Sequence, residues 1–127
     1  MCRMFGFVAF ATFCLVGSLG FAQEQATFYV APTGNDANPG TEAAPFKTIT
    51  KAQKAVREIN GTMTGDIVVY LREGTYQLNS TVNFDERDGG KDGHYVRYKA
   101  YKGEMPLITG GMPVTGWTIP DETTNIW

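Results

Sequence analysis

Residues 38–56 read NPGTEAAPFKTITKAQKAV and join two kinds of sequence. Asn38 to Pro45 is rich in turn formers: Pro fixes φ, Gly reaches positive φ, and Asn bonds back to its own backbone. From Thr48 a helical period takes over. Ile49, Ala52, Ala55, Val56 and Ile59 follow at steps of three, three, one and three, which makes one apolar face. Lys51, Lys54 and Arg57 fall on the other side. The Thr48 hydroxyl is placed to cap the first turn, and Asn60-Gly61 ends the helix because Gly accepts the left-handed conformation. A helix over Thr48–Asn60 has about three turns and is not stable alone in water. It must lie against something apolar.

The rest of the chain supplies that surface as short β-like segments. Thr27 to Ala31 is aromatic and β-branched, and Pro32-Thr33-Gly34-Asn35-Asp36 ends it. Ile67 to Leu71 is a continuous apolar run, as in a strand buried on both faces. Gly74-Thr75 makes a corner, after which Tyr76 and Leu78 share one side by the two-residue period. Val82-Asn83-Phe84 alternates, Asp85 to Gly93 is a polar, glycine-rich loop, and Tyr95 to Tyr101 alternates again. Lys102-Gly103-Glu104 turns into Leu107-Ile108-Thr109, and Val114 to Trp117 closes the readable part. Such strands fit an all-β sandwich, a barrel or a solenoid. No Asn-Gly or Asp-Gly pair links two alternating strands. The strand, glycine corner, strand unit recurs at roughly twenty to thirty residues, which favours a solenoid.

The first 22 residues stand apart. Arg3 gives a positive start, Met4 to Leu19 is nearly all apolar, and Gly20-Phe21-Ala22 offers a small-x-small site. This is the pattern of a secretory signal peptide over 1–22, cleaved after Ala22, which leaves one unit over 23–127. The run is shorter than the roughly 20 residues of a membrane anchor, so no membrane association is expected after cleavage. Cys2 and Cys14 both lie in the removed segment, so the mature chain has no disulfide, thiolate ligand or cysteine nucleophile. Eleven Lys and Arg against thirteen Asp and Glu give a net charge of −2. A nucleic-acid partner needs a clearly basic domain, so Lys47, Lys51, Lys54 and Arg57 read as a solvated helix face.

Few residues point to chemistry. Asp85, Asp88 and Asp92 share the loop DERDGGKDG and could bind calcium, which takes about six to eight oxygens. Their spacing is not that of an EF-hand, no Glu closes the loop, and a solvated turn is the plainer reading. A glycosidase needs two carboxyl groups about 5 to 10 Å apart. Glu73, Asp85, Glu86 and Asp88 are the internal candidates, with no pair singled out. His94 stands alone beside Tyr95 and reads as a surface or packing residue. Tyr95, Tyr98, Tyr101 and Trp117 could stack on sugar rings, but their alternation favours packing. Asn60-Gly61-Thr62 and Asn79-Ser80-Thr81 both match the N-glycosylation pattern. No catalytic, cofactor or metal residue is assigned.

FYVAPTGNDANPGTEAAPFKTITKAQKAV, then DIVVYLREGTYQL, then YKAYKGEMPLITGG and GW together resemble the N-terminal region of secreted right-handed parallel β-helix proteins. These are the pectate-lyase-like superfamily of glycoside hydrolases and polysaccharide lyases. The likeness runs from Phe28 to about Trp117 and lies in the order of motifs: strand, Gly-Thr-x-x-x-Pro-Phe loop, helix, buried strand, Gly-Thr-Tyr corner, Gly-Glu-x-Pro. It implies a mostly β fold, the start of a right-handed parallel β-helix whose end is capped by the short amphipathic helix. It also implies a polysaccharide substrate for the whole protein, a secreted, periplasmic or cell-surface location, and catalytic acids on later coils. A stable solenoid needs at least about three repeats, so the chain reads as truncated at its C-terminus and inactive alone. A non-catalytic adhesive β-helix, or a small complete binding module, are the alternatives.

Overall fold

The computed structural model describes residues 23–116. The signal-peptide reading, both cysteines and Trp117 lie outside them. Five strands and one α-helix follow in order: β1 Glu24–Val30, α1 Ile49–Ile59, β2 Asp66–Leu71, β3 Gly74–Gln77, β4 Val96–Ala100 and β5 Pro106–Thr109. Short 3-10 turns occupy Asn60–Thr62 and Glu86–Asp88. The fold is therefore mostly β with one helix.

All strand pairings are parallel. One sheet has the order β1-β2-β4 and the other pairs β3 with β5. Ile67 lies beside Val96 and Leu71 beside Ala100 in the first sheet. Gly74 lies beside Pro106 and Gln77 beside Thr109 in the second. Parallel neighbours cannot be joined by a tight hairpin, so the chain must travel before each return.

The helix begins where the sequence places its cap. The Thr48 hydroxyl accepts from the Lys51 amide at 3.1 Å. Asp36 in turn accepts from the Lys47 and Thr48 amides, each at 2.9 Å, and from the Thr48 hydroxyl at 2.8 Å. The turn-rich loop thus ties itself to the start of α1. Its other end lies along β1: Tyr29 N donates to Gly40 O at 2.8 Å, Phe46 N to Tyr29 O at 2.9 Å, and Ala31 N to Phe46 O at 2.9 Å. Gly40 sits at φ +80° with the Phe46 ring directly over its α-carbon, so a side chain there would be both strained and clashing.

Ile49, Ala52 and Val56 are buried and Ile59 is partly buried against the core, as the apolar face requires. The core adds Val30, Phe46, Met63, Ile67, Val69, Leu71 and Tyr76. The helix shares one core with Ile67, Val69 and Leu71 of β2. Val68 is buried on the reverse face, where Tyr70 stacks on Tyr29 at 5.5 Å. The two-residue period forces this split.

Two expected segments are not strands. Val82-Asn83-Phe84 is irregular, and its Asn83 carbonyl accepts from the Gln53 amide at 2.7 Å. Val114 to Gly116 is likewise irregular and pairs with no strand among the described residues. Tyr76 is buried and Leu78 packs on the core, as expected.

Candidate functional site

Three places gather polar side chains. The first is the flank of α1. Arg57 Nε donates to Asp88 Oδ1 at 2.6 Å and its Nη2 to Asp88 Oδ2 at 2.6 Å, a two-pronged pair on a buried carboxylate. The buried Gln53 amide donates to the same carboxylate at 3.0 Å. Asn60 Nδ2 donates to Arg87 O at 2.7 Å and Gly89 O at 3.1 Å. Asp85 caps the Glu86–Asp88 turn and is held by Arg87 at 2.6 Å. The aspartates considered for calcium are thus engaged by arginines and amides, which fasten the loop to the helix. Asp92 stands elsewhere in that loop at φ 54° and is exposed. Among the described residues no group of three or more His, Cys, Asp or Glu is arranged to hold a metal ion.

The Arg57 hydrogen bonds hold the Asp88 carboxyl below the ordinary aspartate value of 3.8. The stability it contributes is therefore complete above that value and is lost as acid protonates it below. We expect Asp88→Asn to be less stable than the parent at pH 7, with the gap narrowing toward pH 2. Urea midpoints across that range would check this, and a gap independent of pH would contradict it.

The second place lies at the ends of β2 and β4. Arg72 Nε donates to both Glu104 oxygens at 3.0 Å, and the Glu73 amide donates to Glu104 Oε2 at 2.7 Å. The Arg72 guanidinium lies 4.6 Å from the centre of the Tyr101 ring. The Tyr101 hydroxyl donates to Glu42 at 2.6 Å. Glu42, Arg72, Glu73 and Glu104 border a cleft of about 390 Å³. Of the glycosidase candidates only Glu73 lines it. Asp85 and Asp88 belong to the α1 flank, and no two unengaged carboxylates are brought together here.

The third place is a cleft of about 420 Å³ between the start of α1 and β3, bordered by Lys47, Thr50, Thr75, Asn79 and Ser80 over Ile49 and Leu78. No carboxylate lines it.

The tyrosines divide. Tyr98 packs on the core edge-on to Phe84 at 5.2 Å, and burial pushes its phenol up to about 12. Tyr101 is edge-on to Tyr29 and Tyr70 at 5.7 and 5.4 Å. Tyr95 is 63% exposed. His94 Nδ1 lies 3.9 Å from Asp66, a buried carboxylate that also pairs with Arg97 at 3.0 Å and accepts from the Tyr95 amide at 2.9 Å. Sequence reasoning missed Asp66; an aspartate heading an apolar strand was the available signal. Of the two glycosylation patterns, Asn60 is buried and Asn79 is exposed.

Parts of the chain are similar to known proteins. The family described as "Protein of unknown function (DUF1565)" matches residues 32–85. An uncharacterized protein of Bacillus subtilis (strain 168), YwoF, is 34% identical over 82 residues, covering 65% of this chain and 15% of its own length. Among solved structures, a chain titled "Glycoside hydrolase" superposes with a TM-score of 0.68 at 28% identity, covering 74% of this chain and 16% of its own. XylC in complex with xylose superposes with a TM-score of 0.50 at 24% identity, covering 75% of this chain and 13% of its own, which speaks for the fold alone. The chain thus spans about a sixth or less of each relative's length. Its structural relatives include carbohydrate-active enzymes.

Proposed function

We propose that residues 23–116 are the capped opening coils of a right-handed parallel β-helix in a secreted, polysaccharide-directed protein. That protein is a glycoside hydrolase or polysaccharide lyase whose reacting groups lie on a longer polypeptide, further along the chain. The observation that carries this is the phase of the two sheets. Ile67 pairs with Val96, 29 positions on, and Gly74 pairs with Pro106, 32 positions on. Two successive strands each return beside the strand one lap earlier, as a winding coil requires. Parallel crossovers are right-handed in about 98% of cases, which supports the hand. The helix supports the lid role, since a solenoid end exposes apolar cross-section and strand edges that must be covered. Likeness to a glycoside hydrolase over 74% of this chain supports the carbohydrate direction.

Of the three carboxylates bordering the second cleft, Glu104 is held by Arg72 and Glu42 by Tyr101, which leaves Glu73 without an unengaged partner there. We therefore expect purified 23–127 to turn over no pectic, xylan or fucosylated glycan, while the longer polypeptide cleaves at least one. Reducing-sugar and unsaturated-product assays on both proteins would check this. Turnover by the short chain, or an inert long protein, would overturn the reading.

A further inference from the structure

β3 is bonded on one side only. It pairs with β5 and with no other strand among the described residues. The Leu78 amide donates to Thr109 O at 2.8 Å, which fixes the phase of that ladder. Groups on a strand alternate between its two edges, so Tyr76 shares the β5 side with Leu78. The amides and carbonyls of Thr75 and Gln77 face the other way. On that free edge lies the cleft of about 420 Å³.

Its lining is chemically one-sided. Thr50, Thr75 and Ser80 bring hydroxyls, Asn79 brings an amide, and the free β3 edge brings backbone donors and acceptors. Hydroxyls and amides both give and accept hydrogen bonds, which suits a polyol presenting the same mixture. The lone charged side chain is Lys47, and it forms no ion pair among the described residues. Ile49, Leu78 and Val82 give an apolar floor for the C–H face of a sugar ring. The volume falls within the range of small-molecule sites, about 300 to 1,000 Å³. An extended peptide is the less fitting occupant, because only two β3 residues turn their backbone groups to the cleft.

We propose that this cleft is a saccharide-binding site for an acidic sugar unit, with the uronate carboxylate on Lys47 and ring hydroxyls on Thr50, Ser80 and the Thr75 and Gln77 backbone. The proposal rests on the carbohydrate reading above and assigns the cleft to holding a glycan chain rather than cutting it. The test is calorimetric titration of the full chain with digalacturonate, xylobiose and a tetraglutamate peptide. We expect digalacturonate to bind most tightly. Lys47→Gln should weaken it about ten-fold, the worth of one charged hydrogen bond, and leave xylobiose unchanged. Thr75→Trp, at an exposed strand position, should fill the cleft and abolish both while the circular dichroism and melt stay parental. Binding untouched by Thr75→Trp, no saccharide binding by the folded chain, or tighter binding of tetraglutamate would each overturn the proposal. The activity of the longer polypeptide is read separately, so an inert long protein with an intact sugar site would sink the enzyme reading alone.

Discussion

Val56→Asp should leave the chain without a folded state at room temperature. Val56 is fully buried on the inner face of α1, in one core cluster with Ala52, Ile67 and Val69. An aspartate there has no cation beside it on that face, since Arg57 points to Asp88 on the flank. A buried unpaired charge is among the few changes that cost on the order of 4 kcal/mol or more. Domains of this size hold about 5 to 15 kcal/mol in all, and residues 23–127 contain no cysteine that could crosslink them. Lys54→Asp on the exposed face of the same helix is the control and should melt like the parent. Thermal melts of the two variants decide the matter: a parental melt for Val56→Asp would mean that α1 does not lie on the core.

The second large effect is association. Each large hydrophobic residue that is exposed among the described residues lies at or beyond Phe84, with Met105 at 84%, Leu107 at 60% and Ile108 at 47%. β4 and β5 each have one bonded edge, whereas residues 40–46 run along the outer edge of β1. Open apolar edges recruit further chains. The two edges are not equal. Antiparallel pairing of β4 with a copy of itself about Tyr98 would set Arg97 opposite Lys99, a like-charge pair that opposes the contact. β5 carries no such charge, although Pro106 withdraws one donor from it. We expect sedimentation of purified 23–127 to depend on concentration, and dyes that report apolar surface to bind. Leu107→Lys with Ile108→Lys should shift the chain to monomer, where Arg97→Thr should not. A compact monomer with a sharp reversible melt would overturn this and favour a small complete module.

The elements made by local chemistry were legible in the sequence. Thr48 and the three-and-four spacing from Ile49 describe α1 to within a residue, because caps and periodicity act over neighbouring positions. The left-handed stop expected at Gly61 does not form: Asn60 stays right-handed, and Asn60–Thr62 continues as a 3-10 turn. The doubly buried β2 was legible because its run from Ile67 admits no polar face. What escaped depends on distant partners. Whether Val68 or Val69 meets the helix turns on the strand's rotation, set by its neighbours. Val82-Asn83-Phe84 alternates like a strand, yet Gln53, thirty positions earlier, takes the Asn83 carbonyl. Arg57 was read as part of a solvated face, but its partner Asp88 lies 31 positions on. The candidate clefts were illegible for the same reason. Thr48 and Thr75 line one cleft although they lie 27 positions apart in the sequence.

One buried side chain places folding in a race against covalent modification. Asn60 sits in an Asn-Gly-Thr tripeptide, yet its amide nitrogen is committed to the Arg87 and Gly89 carbonyls and is 3% exposed as a residue. In a host that attaches glycans during translocation, the transferase meets the nascent chain before Arg87 has emerged to claim that nitrogen. A sugar on it removes one of the two hydrogens that fasten the loop and cannot fit beneath it. Each molecule modified at Asn60 is thereby barred from closing its cap, whereas one modified at exposed Asn79 is not. The choice of secretion host is consequently a choice between two populations of this chain. Thr62→Ala removes that branch at little cost, because the fold uses the Thr62 backbone carbonyl, bonded by the Gln25 side chain at 3.3 Å.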